Sequence, residues 1–192
     1  MHNNKENSET AKIEKEILNK HELDSIITRI TFQILEKCSN FENIALIGIK
    51  RRGAILADRI NDKIKEHSGK KAPVGYLDIT LYRDDLTEIA DYPLLSGTEV
   101  DFRVKGKNII LIDDVIFTGR TVRSALDAII DFGRPEKIIL ASLIDRGHRE
   151  LPIQADFTGK YVPTSLHEKI NVKLREFDEV DSVSIEKNED GV

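Results

Sequence analysis

Two patterns of hydrophobic residues alternate along the chain. Residues 23–37 place apolar side chains three and four positions apart, which predicts an amphipathic helix. Residues 44–49 form a continuous apolar run, which is typical of a parallel strand covered on both faces. The alternation continues with helices predicted at 53–67 and 121–133, and with strands predicted at 74–82, 108–112, 137–144 and 180–185.

Strands that alternate with helices indicate an α/β protein with a mostly parallel, twisted sheet flanked by helices. Ligands of such sheets bind beyond the carboxyl ends of the strands. Between residues 83 and 106 the pattern gives way to charged residues, Pro93 and two glycines. A stretch of this length without periodicity is typical of a functional lid or a disordered segment. We expect one domain at residues 13–185, between a polar tail at 1–12 and an acidic tail at 186–192.

Composition narrows the class of protein. Charged residues make up 33% of the 192 residues, the formal net charge is -5, and there is one cysteine. A single cysteine excludes a disulfide framework and a cysteine-based zinc site. An acidic chain would bind nucleic acid only through a local basic patch. No apolar run approaches the ~20 residues of a membrane span, and the polar N-terminus lacks the apolar segment of a signal peptide. We therefore expect a cytoplasmic protein.

The candidate chemistry lies where two predicted strands end. Asp113 and Asp114 follow the apolar run 108–112, and a Thr-Gly-Arg-Thr turn at 118–121 precedes the next helix. The amides of such a turn favour a phosphate at the helix N-terminus. The two acids then suit the vicinal hydroxyls of a ribose or a magnesium ion. The alternative is that the two aspartates cap the helix.

A second charged group follows the strand at 44–49. Lys50, Arg51 and Arg52 are consecutive cations at a strand end, which suggests a polyanionic ligand. The alternative is a solvated run of surface charge. The common nucleotide-binding loops do not account for either site, because the chain has no GxxxxGK[ST] and no GxGxxG after a strand.

These motifs resemble a known family. "IILIDDVIFTGRT" resembles the phosphoribosylpyrophosphate signature of the type I phosphoribosyltransferases. Four further segments, in order, resemble the pyrimidine operon attenuators that also carry uracil phosphoribosyltransferase activity: "GIKRRG", "LDITLYRDDL", "GRTVRSALDAIIDFGRP" and "DRGHRELPI". The match spans roughly residues 20–185. It implies the type I phosphoribosyltransferase fold, with a flexible lid loop at about 83–106 and a small hood at about 145–175.

The resemblance implies a role for each matched residue. Asp113 and Asp114 would hold the ribose hydroxyls, and Arg83 in the lid would reach the pyrophosphate. Arg146 and the backbone near Ile170 would contact the base. The 5-phosphate would be bound by Phe117, Thr118, Gly119, Arg120 and Thr121. The pyrophosphate loop, in which family members often have a non-proline cis peptide, would consist of Lys50, Arg51, Arg52 and Gly53.

The implied reaction converts uracil and phosphoribosylpyrophosphate (PRPP) to uridine monophosphate (UMP) and pyrophosphate with Mg²⁺. The transition state resembles an oxocarbenium ion, so catalysis rests on charge stabilisation and positioning by Asp113, Asp114 and Arg83, without a protein nucleophile. Magnesium is expected mainly through PRPP, near the two aspartates. Backbone groups can read the uracil edge, so the residues leave a purine-type transferase open as the alternative.

The resemblance also implies regulation through RNA. Attenuators bind a messenger leader hairpin in response to uridine nucleotides such as UMP and UTP, and they form homodimers or larger homo-oligomers. The positions that fit such an RNA face are Thr28, Arg29, His148, Arg149 and Lys160. Phe32 and Gln154 depart from it, since a histidine and an arginine are expected there. Each lost cation should weaken RNA binding. A protein that is mainly an RNA-binding regulator with vestigial catalysis remains the other alternative.

Overall fold

A five-stranded parallel sheet forms the centre of the fold, and a smaller sheet lies beside it. The computed structural model describes residues 13–38, 41–80 and 97–187. The elements follow in the order β1 (Ile13–Leu18), α1 (Lys20–Lys37), a 3₁₀ turn (Phe41–Asn43), β2 (Ile44–Ile49), α2 (Arg52–Ser68), β3 (Val74–Leu77), β4 (Asn108–Ile116), α3 (Arg120–Asp131), β5 (Lys137–Asp145), β6 (Phe157–Tyr161), β7 (Glu168–Lys173), α4 (Arg175–Asp178) and β8 (Ser182–Lys187).

The central sheet has the strand order β3-β2-β4-β5-β6, and all neighbouring strands are parallel. Each connection through a helix returns the chain to the same end of the sheet, so the carboxyl ends of β2 and β4 are adjacent. The predicted α/β class and the parallel sheet flanked by helices are confirmed.

The core lies on both faces of this sheet. Every residue of β2 is buried, because successive side chains point to opposite faces and both faces are covered. Leu46 packs in one cluster with Ile27 of α1 and Leu56 of α2. Ile47 packs in the other cluster with Ala125 of α3. The continuous apolar run predicted this arrangement.

The second sheet is antiparallel, with the order β1-β8-β7. Its Val172 and Val183 belong to the same cluster as Leu23 of α1, so the two sheets share one core. Sequence patterns did not indicate β1, β6 or β7, because short strands that mix charged and apolar residues carry little periodic signal. The predicted hood at 145–175 contains β6 and β7, and its functional assignment stays a prediction.

The boundaries of several elements differ from the predictions. β4 extends to Ile116 instead of ending at residue 112, so Asp113 and Asp114 lie in the strand rather than in the loop after it. β3 ends at Leu77, short of the predicted residue 82. A turn follows at once, in which the amide of Thr80 donates to Asp78 Oδ1 at 3.0 Å. α3 ends at Asp131 instead of continuing to residue 133.

Several predictions concern residues that lie wholly or partly outside the described ranges. Residues 83–96 of the predicted lid, including Arg83, lie outside the described residues, as do residues 1–12 and 188–192. The end of the predicted lid is described, and the backbone of Glu99 pairs there with Tyr76 of β3. Within the described ranges, no helix has the length and apolar character needed to cross a membrane. The cytoplasmic location stays a prediction.

Candidate active site

Two loops meet at the carboxyl edge of the sheet. The register of β2 and β4 aligns Gly48 with Ile112, so the loop at Lys50–Gly53 lies beside the acidic end of β4. Gly53 is required for this approach, because a Cβ atom there would lie 2.5 Å from the carbonyl oxygen of Ile112 and 3.3 Å from Asp113 Cα. The structure therefore brings together the cations and the acids that the sequence placed at separate strand ends.

Asp113 is 4% exposed although it carries a carboxylate. Its Oδ1 accepts a hydrogen bond from the Asp114 amide at 3.0 Å. Its Oδ2 is buried and has no hydrogen-bond partner among the described residues. Burial, followed by repulsion from Asp114, raises the pKa of Asp113 well above its ordinary value. A buried acceptor without a partner is costly, and a ligand that donates a hydrogen bond would satisfy it.

Asp114 has a different environment, because neighbouring residues of a strand point to opposite faces. Burial raises the pKa of Asp114, and the amide of Val115 and the positive charge of Arg52 partly offset that rise. Neither aspartate caps α3, which begins at Arg120 without a side-chain cap. The helix-capping alternative is therefore excluded.

The phosphate loop consists of residues 117–121 and opens α3. Gly119 has φ +93°, a conformation that favours glycine, and directs the chain into the helix. The first amides of α3 lack intrahelical partners and present the positive end of the helix dipole. A pocket of about 240 Å³ lies here, lined by Asp113, Val115, Ile116, Phe117, Thr118, Gly119, Arg120, Thr121, Val122 and Ser124. The size and the donors of this pocket suit a phosphate.

The segment after β5 folds over this loop and holds it. The amides of Glu150 and Leu151 donate to the Thr118 carbonyl at 2.9 and 3.1 Å. Arg149 donates from Nη1 to the Phe117 carbonyl at 2.8 Å and from Nη2 to Asp145 at 2.6 Å. Arg149 thus braces the phosphate loop, although its sequence position suggested an RNA contact.

Arg146 links the phosphate loop to the second sheet. Its guanidinium lies 4.0 Å from the centre of the Phe117 ring. It also donates to Thr164 Oγ1 at 3.0 Å and to the Glu168 carbonyl at 2.7 Å. Burial lowers the pKa of Arg146. Glu168 begins β7, in which Ile170 is buried. The two residues predicted to contact the base are therefore tied to one another through the backbone of β7.

The loop at Lys50–Gly53 contains a cis peptide bond between Lys50 and Arg51, as the family resemblance implied. Lys50 pairs with Glu99 at 2.7 Å. Arg52 pairs with Asp178 at 2.8 Å, while its buried Nε has no hydrogen-bond partner among the described residues. The contact with Asp178 was not predicted from sequence, because the two residues lie 126 positions apart and the acidic turn around Asp178 carries no motif.

The remaining residues of the predicted RNA face make internal contacts. Arg29 donates to the Gly159 carbonyl of β6, and Lys160 donates to the Ile17 carbonyl at 3.0 Å. Thr28 donates to the Asp24 carbonyl at 2.9 Å within α1. His148 Nε2 lies 2.5 Å from the Thr164 carbonyl oxygen. Arg29 of α1 therefore lies beside β6, the strand that contains Lys160.

The two departures from the expected RNA face are both exposed to solvent. Phe32 is 47% exposed, and its ring centre lies 4.4 Å from that of His67. Gln154 is exposed in the segment between β5 and β6. Among the residues that the structure describes, no group of three or more His, Cys, Asp or Glu side chains is arranged to hold a metal ion. Magnesium bound through PRPP stays a prediction.

Comparison with solved structures identifies the class of fold. The chain superposes on a hypoxanthine phosphoribosyltransferase from Staphylococcus aureus with a TM-score of 0.64 and 16% identity, covering 88% of this chain and 90% of that chain. A hypoxanthine phosphoribosyltransferase from Trypanosoma cruzi gives a TM-score of 0.68 and 12% identity, covering 91% and 97%. At these identities the likeness shows the fold alone.

Comparison of sequences is more specific. Residues 14–173 match the family described as "Phosphoribosyl transferase domain". The chain is 54% identical over 177 residues to "Bifunctional protein PyrR" of Acetivibrio thermocellus, covering 92% of this chain and 96% of the relative. It is 56% identical over 161 residues to the protein of the same name from Clostridioides difficile, covering 84% and 91%. The chain therefore belongs to the phosphoribosyltransferase family, and within it to the PyrR proteins. The resemblance inferred from the motifs is confirmed.

Proposed function

We propose that this protein transfers the phosphoribosyl group of PRPP to uracil and so forms UMP and pyrophosphate. The observation that carries the proposal is the placement of Asp113 and Asp114 between a helix-opening phosphate loop and a cationic loop. PRPP carries a phosphate, a diol and a pyrophosphate on one ribose, and each of these groups has a chemically matched neighbour at this edge of the sheet.

The ribose 5-phosphate is bound by the amides and hydroxyls of residues 117–121. The ribose hydroxyls donate to Asp113 and Asp114, and the unpartnered Oδ2 of Asp113 supports this role. A hydroxyl that reaches this oxygen supplies the missing donor, so substrate binding relieves a cost that the free protein carries.

The leaving pyrophosphate is bound by the loop at Lys50–Gly53, with Arg83 of the lid reaching it when the lid closes. The bond between ribose C1 and the pyrophosphate oxygen breaks, and its electron pair leaves with pyrophosphate. The lone pair of uracil N1 forms the new bond to C1, and the N1 proton is released. The carboxylates of Asp113 and Asp114 offset the positive charge that develops on the ribose.

Magnesium would be held chiefly by PRPP oxygens, with Asp113 and Asp114 as the nearby acidic side chains, because this ion prefers oxygen ligands. When bound, it neutralises negative charge on the leaving group. Arg146 and the backbone near Ile170 orient the base. The stacking of the Arg146 guanidinium on Phe117 supports this assignment, because it places a rigid planar surface beside the phosphate loop.

A base-specificity assay tests the proposal. With PRPP and Mg²⁺, uracil should be converted to UMP, while hypoxanthine and guanine should not be converted. Turnover of a purine without turnover of uracil would favour the purine-type transferase instead. The 5-phosphate and pyrophosphate sites are common to both readings, so the assay isolates the identity of the base.

A second function, binding of a messenger leader hairpin, is supported by the position of Arg29 of α1 beside β6, the strand that contains Lys160. Thr28, His148 and Arg149 complete the proposed face, and UMP or UTP would act as effector. Salt-sensitive binding of the protein to the leader of its own operon, strengthened by UMP, is the expected result. Absence of binding at low salt would contradict it. Lys160→Ala should weaken binding and reduce the salt dependence, whereas Lys71→Ala, in the connection between α2 and β3, should not.

The assembly of the protein is a further part of the proposal. We expect a homodimer or a larger homo-oligomer in solution. Measurement of the molar mass by light scattering tests this directly. A monomer at the concentrations used for the assay would contradict it.

A further inference from the structure

The segment at 174–181, between β7 and β8, lies against the proposed pyrophosphate loop. Asp178 Oδ1 pairs with Arg52 Nη2 at 2.8 Å. The ring centre of Phe177 lies 5.2 Å from the Arg51 guanidinium carbon and 5.8 Å from that of Arg52. Two of the three loop cations, Arg51 and Arg52, therefore have their guanidinium groups against the segment at 174–181.

Asp178 is itself fixed in place. Its second oxygen, Oδ2, accepts a hydrogen bond from the Leu174 amide at 2.9 Å, and its side chain is only 17% exposed. Burial raises the pKa of Asp178, but the Leu174 amide and Arg52 outweigh burial and lower the pKa below its ordinary value. Asp178 is therefore an ionised, immobile partner, unlike most exposed ion pairs.

The same segment has a separate attachment to α2. Arg59, about two turns along α2 from Arg52, donates to Glu176 at 2.9 Å and to Asp181 at 2.6 Å. The Arg175 amide also donates to Asp181 at 3.0 Å. The segment is thus anchored to α2 without the Arg52 contact, so the Arg52–Asp178 pair is not needed simply to hold the segment down.

We propose that Asp178 is a positioning residue, which holds the Arg52 guanidinium in place to receive the pyrophosphate of PRPP. The inference rests on the proposed function. An arginine side chain loses about 2 kcal/mol of rotamer entropy when it is immobilised. Asp178 immobilises Arg52 before the substrate binds, so the substrate does not bear this cost. The Arg52 side chain remains 29% exposed while it is paired, which leaves part of it open to the ligand.

The test compares Asp178→Asn with Asp181→Asn. Asp178→Asn keeps the shape of the side chain and weakens the pair with Arg52, so the KM for PRPP should rise about tenfold, as expected for a charge-assisted hydrogen bond worth roughly 1.4 kcal/mol. The Kd for UMP, which has no pyrophosphate, should stay within about twofold of wild type. Asp181→Asn instead changes one of the two acidic partners of Arg59, so its KM for PRPP should be near that of wild type even if its Tm falls.

A double variant separates positioning from a general loss of structure. On an Arg52→Ala background, Asp178→Asn should add nothing further to the KM for PRPP, because Asp178 acts through Arg52. Additive losses would contradict the inference, as would a KM for PRPP at or below the wild-type value in Asp178→Asn. An equal rise in the Kd for UMP would also overturn it, since that result marks a structural role.

Failure of this inference is distinguishable from failure of the proposed function. If the wild-type protein does not convert uracil and PRPP to UMP, the proposed function fails. If the wild-type protein turns over and Asp178→Asn has the wild-type KM for PRPP, only the positioning role fails.

Discussion

The two loops at the carboxyl edge of the sheet are held in different ways. The phosphate loop at 117–121 is held mainly through its backbone, since the amides of Glu150 and Leu151 and the guanidinium of Arg149 all donate to its carbonyl groups. The loop at Lys50–Gly53 has one such backbone contact, from the Lys50 amide to the Leu77 carbonyl at 2.9 Å. It is held mainly through its side chains, by ion pairs of Lys50 with Glu99 and of Arg52 with Asp178.

This difference has a functional reason. A backbone-held loop keeps its amides in one geometry, which suits a phosphate that stays bound from PRPP to UMP. A loop held through charged side chains can exchange its partners for an anionic ligand, which suits a pyrophosphate that must be released. Contacts to backbone carbonyls depend little on salt, whereas pairs between charged groups at the surface are screened. The two loops should therefore respond differently to substitution and to ionic strength.

The largest effect is expected from the acids that lie between the loops. Asp113→Asn with Asp114→Asn removes both carboxylates and keeps their volume, so UMP formation should fall by at least about a thousandfold, because the charge that offsets the oxocarbenium ion is lost. Circular dichroism should show an unchanged fold. The matched control, Asp127→Asn, replaces an exposed acid of α3 and should retain activity. Wild-type rates in the double variant would contradict the assignment of the ribose site to these two acids.

The next effect tests the backbone support of the phosphate loop. Arg149→Ala removes the donor to the Phe117 carbonyl, and the Kd for UMP should rise about tenfold or more, since hydrogen bonds from charged groups contribute about 1.5–3 kcal/mol. The Kd for uridine, which lacks the phosphate, should change less than about threefold. Arg149→Lys should recover only part of the affinity, because a single ammonium cannot replace the fork that reaches Phe117, Asp145 and Ile153.

The outcome also bears on the RNA face. If Arg149 acts on the phosphate loop, loss of RNA binding in Arg149→Ala should be accompanied by loss of UMP binding. His148→Ala, which leaves the Phe117 carbonyl contact intact, provides the comparison. Weakened RNA binding with a wild-type Kd for UMP in Arg149→Ala would show a direct contact with RNA instead.

The phosphate loop was the more predictable of the two regions. Its acids, glycine and hydroxyls are contiguous in sequence, and a strand followed by a helix fixes their relation in space. Even so, the pattern misplaced the end of β4, because apolar periodicity stops at Ile112 although the backbone ladder with β5 continues to Ile116. Polar side chains at a strand end are compatible with sheet pairing, and the buried state of Asp113 therefore could not be derived from its sequence position.

The supports of both loops were much less predictable. Arg149 and Asp178 contact their loops through pairings that join parts of the chain distant in sequence. Such pairings depend on how the second sheet and the β5–β6 connection pack against the central sheet. That packing could not be inferred from the sequence, because short charged strands such as β7 give no periodic signal. The role of Arg149 was also obscured, because an arginine in a loop has the same sequence signature whether it faces solvent or a carbonyl.

A smaller effect concerns the stability of the free protein. The pKa of Asp113 is raised in the native state, mainly by burial. The native state therefore holds this proton more tightly than the unfolded chain, and the free energy of unfolding decreases as the pH rises above about 3.9, the ordinary pKa of aspartate. Asp113→Asn cannot ionise. Its Tm should exceed that of wild type by a few degrees at pH 7.5, and the difference should shrink towards pH 4.5.

Thermal unfolding of both proteins across this pH range provides the measurement. Asp127→Asn is again the control, since it replaces an exposed carboxylate of α3 and leaves Asp113 unchanged. A variant Asp113→Asn that is less stable than wild type at pH 7.5 would mean that the carboxylate already has a stabilising partner in the free protein. The charge of Asp113 would then be stabilised before substrate binds.

The smallest effect is expected from the charged contact at the phosphate loop. Arg120 Nε pairs with Glu150 Oε2 at 2.6 Å, and the two side chains are 48% and 50% exposed, whereas those of Arg52 and Asp178 are 29% and 17% exposed. Exposed ion pairs contribute little, typically about 0.2–1 kcal/mol. Glu150→Gln keeps the backbone amide that donates to Thr118, so the KM for PRPP should change less than about twofold. A rise in the KM for PRPP as large as that expected for Asp178→Asn would mean that solvent exposure does not determine which ion pairs matter for the site. The phosphate loop would then also depend on its side chains.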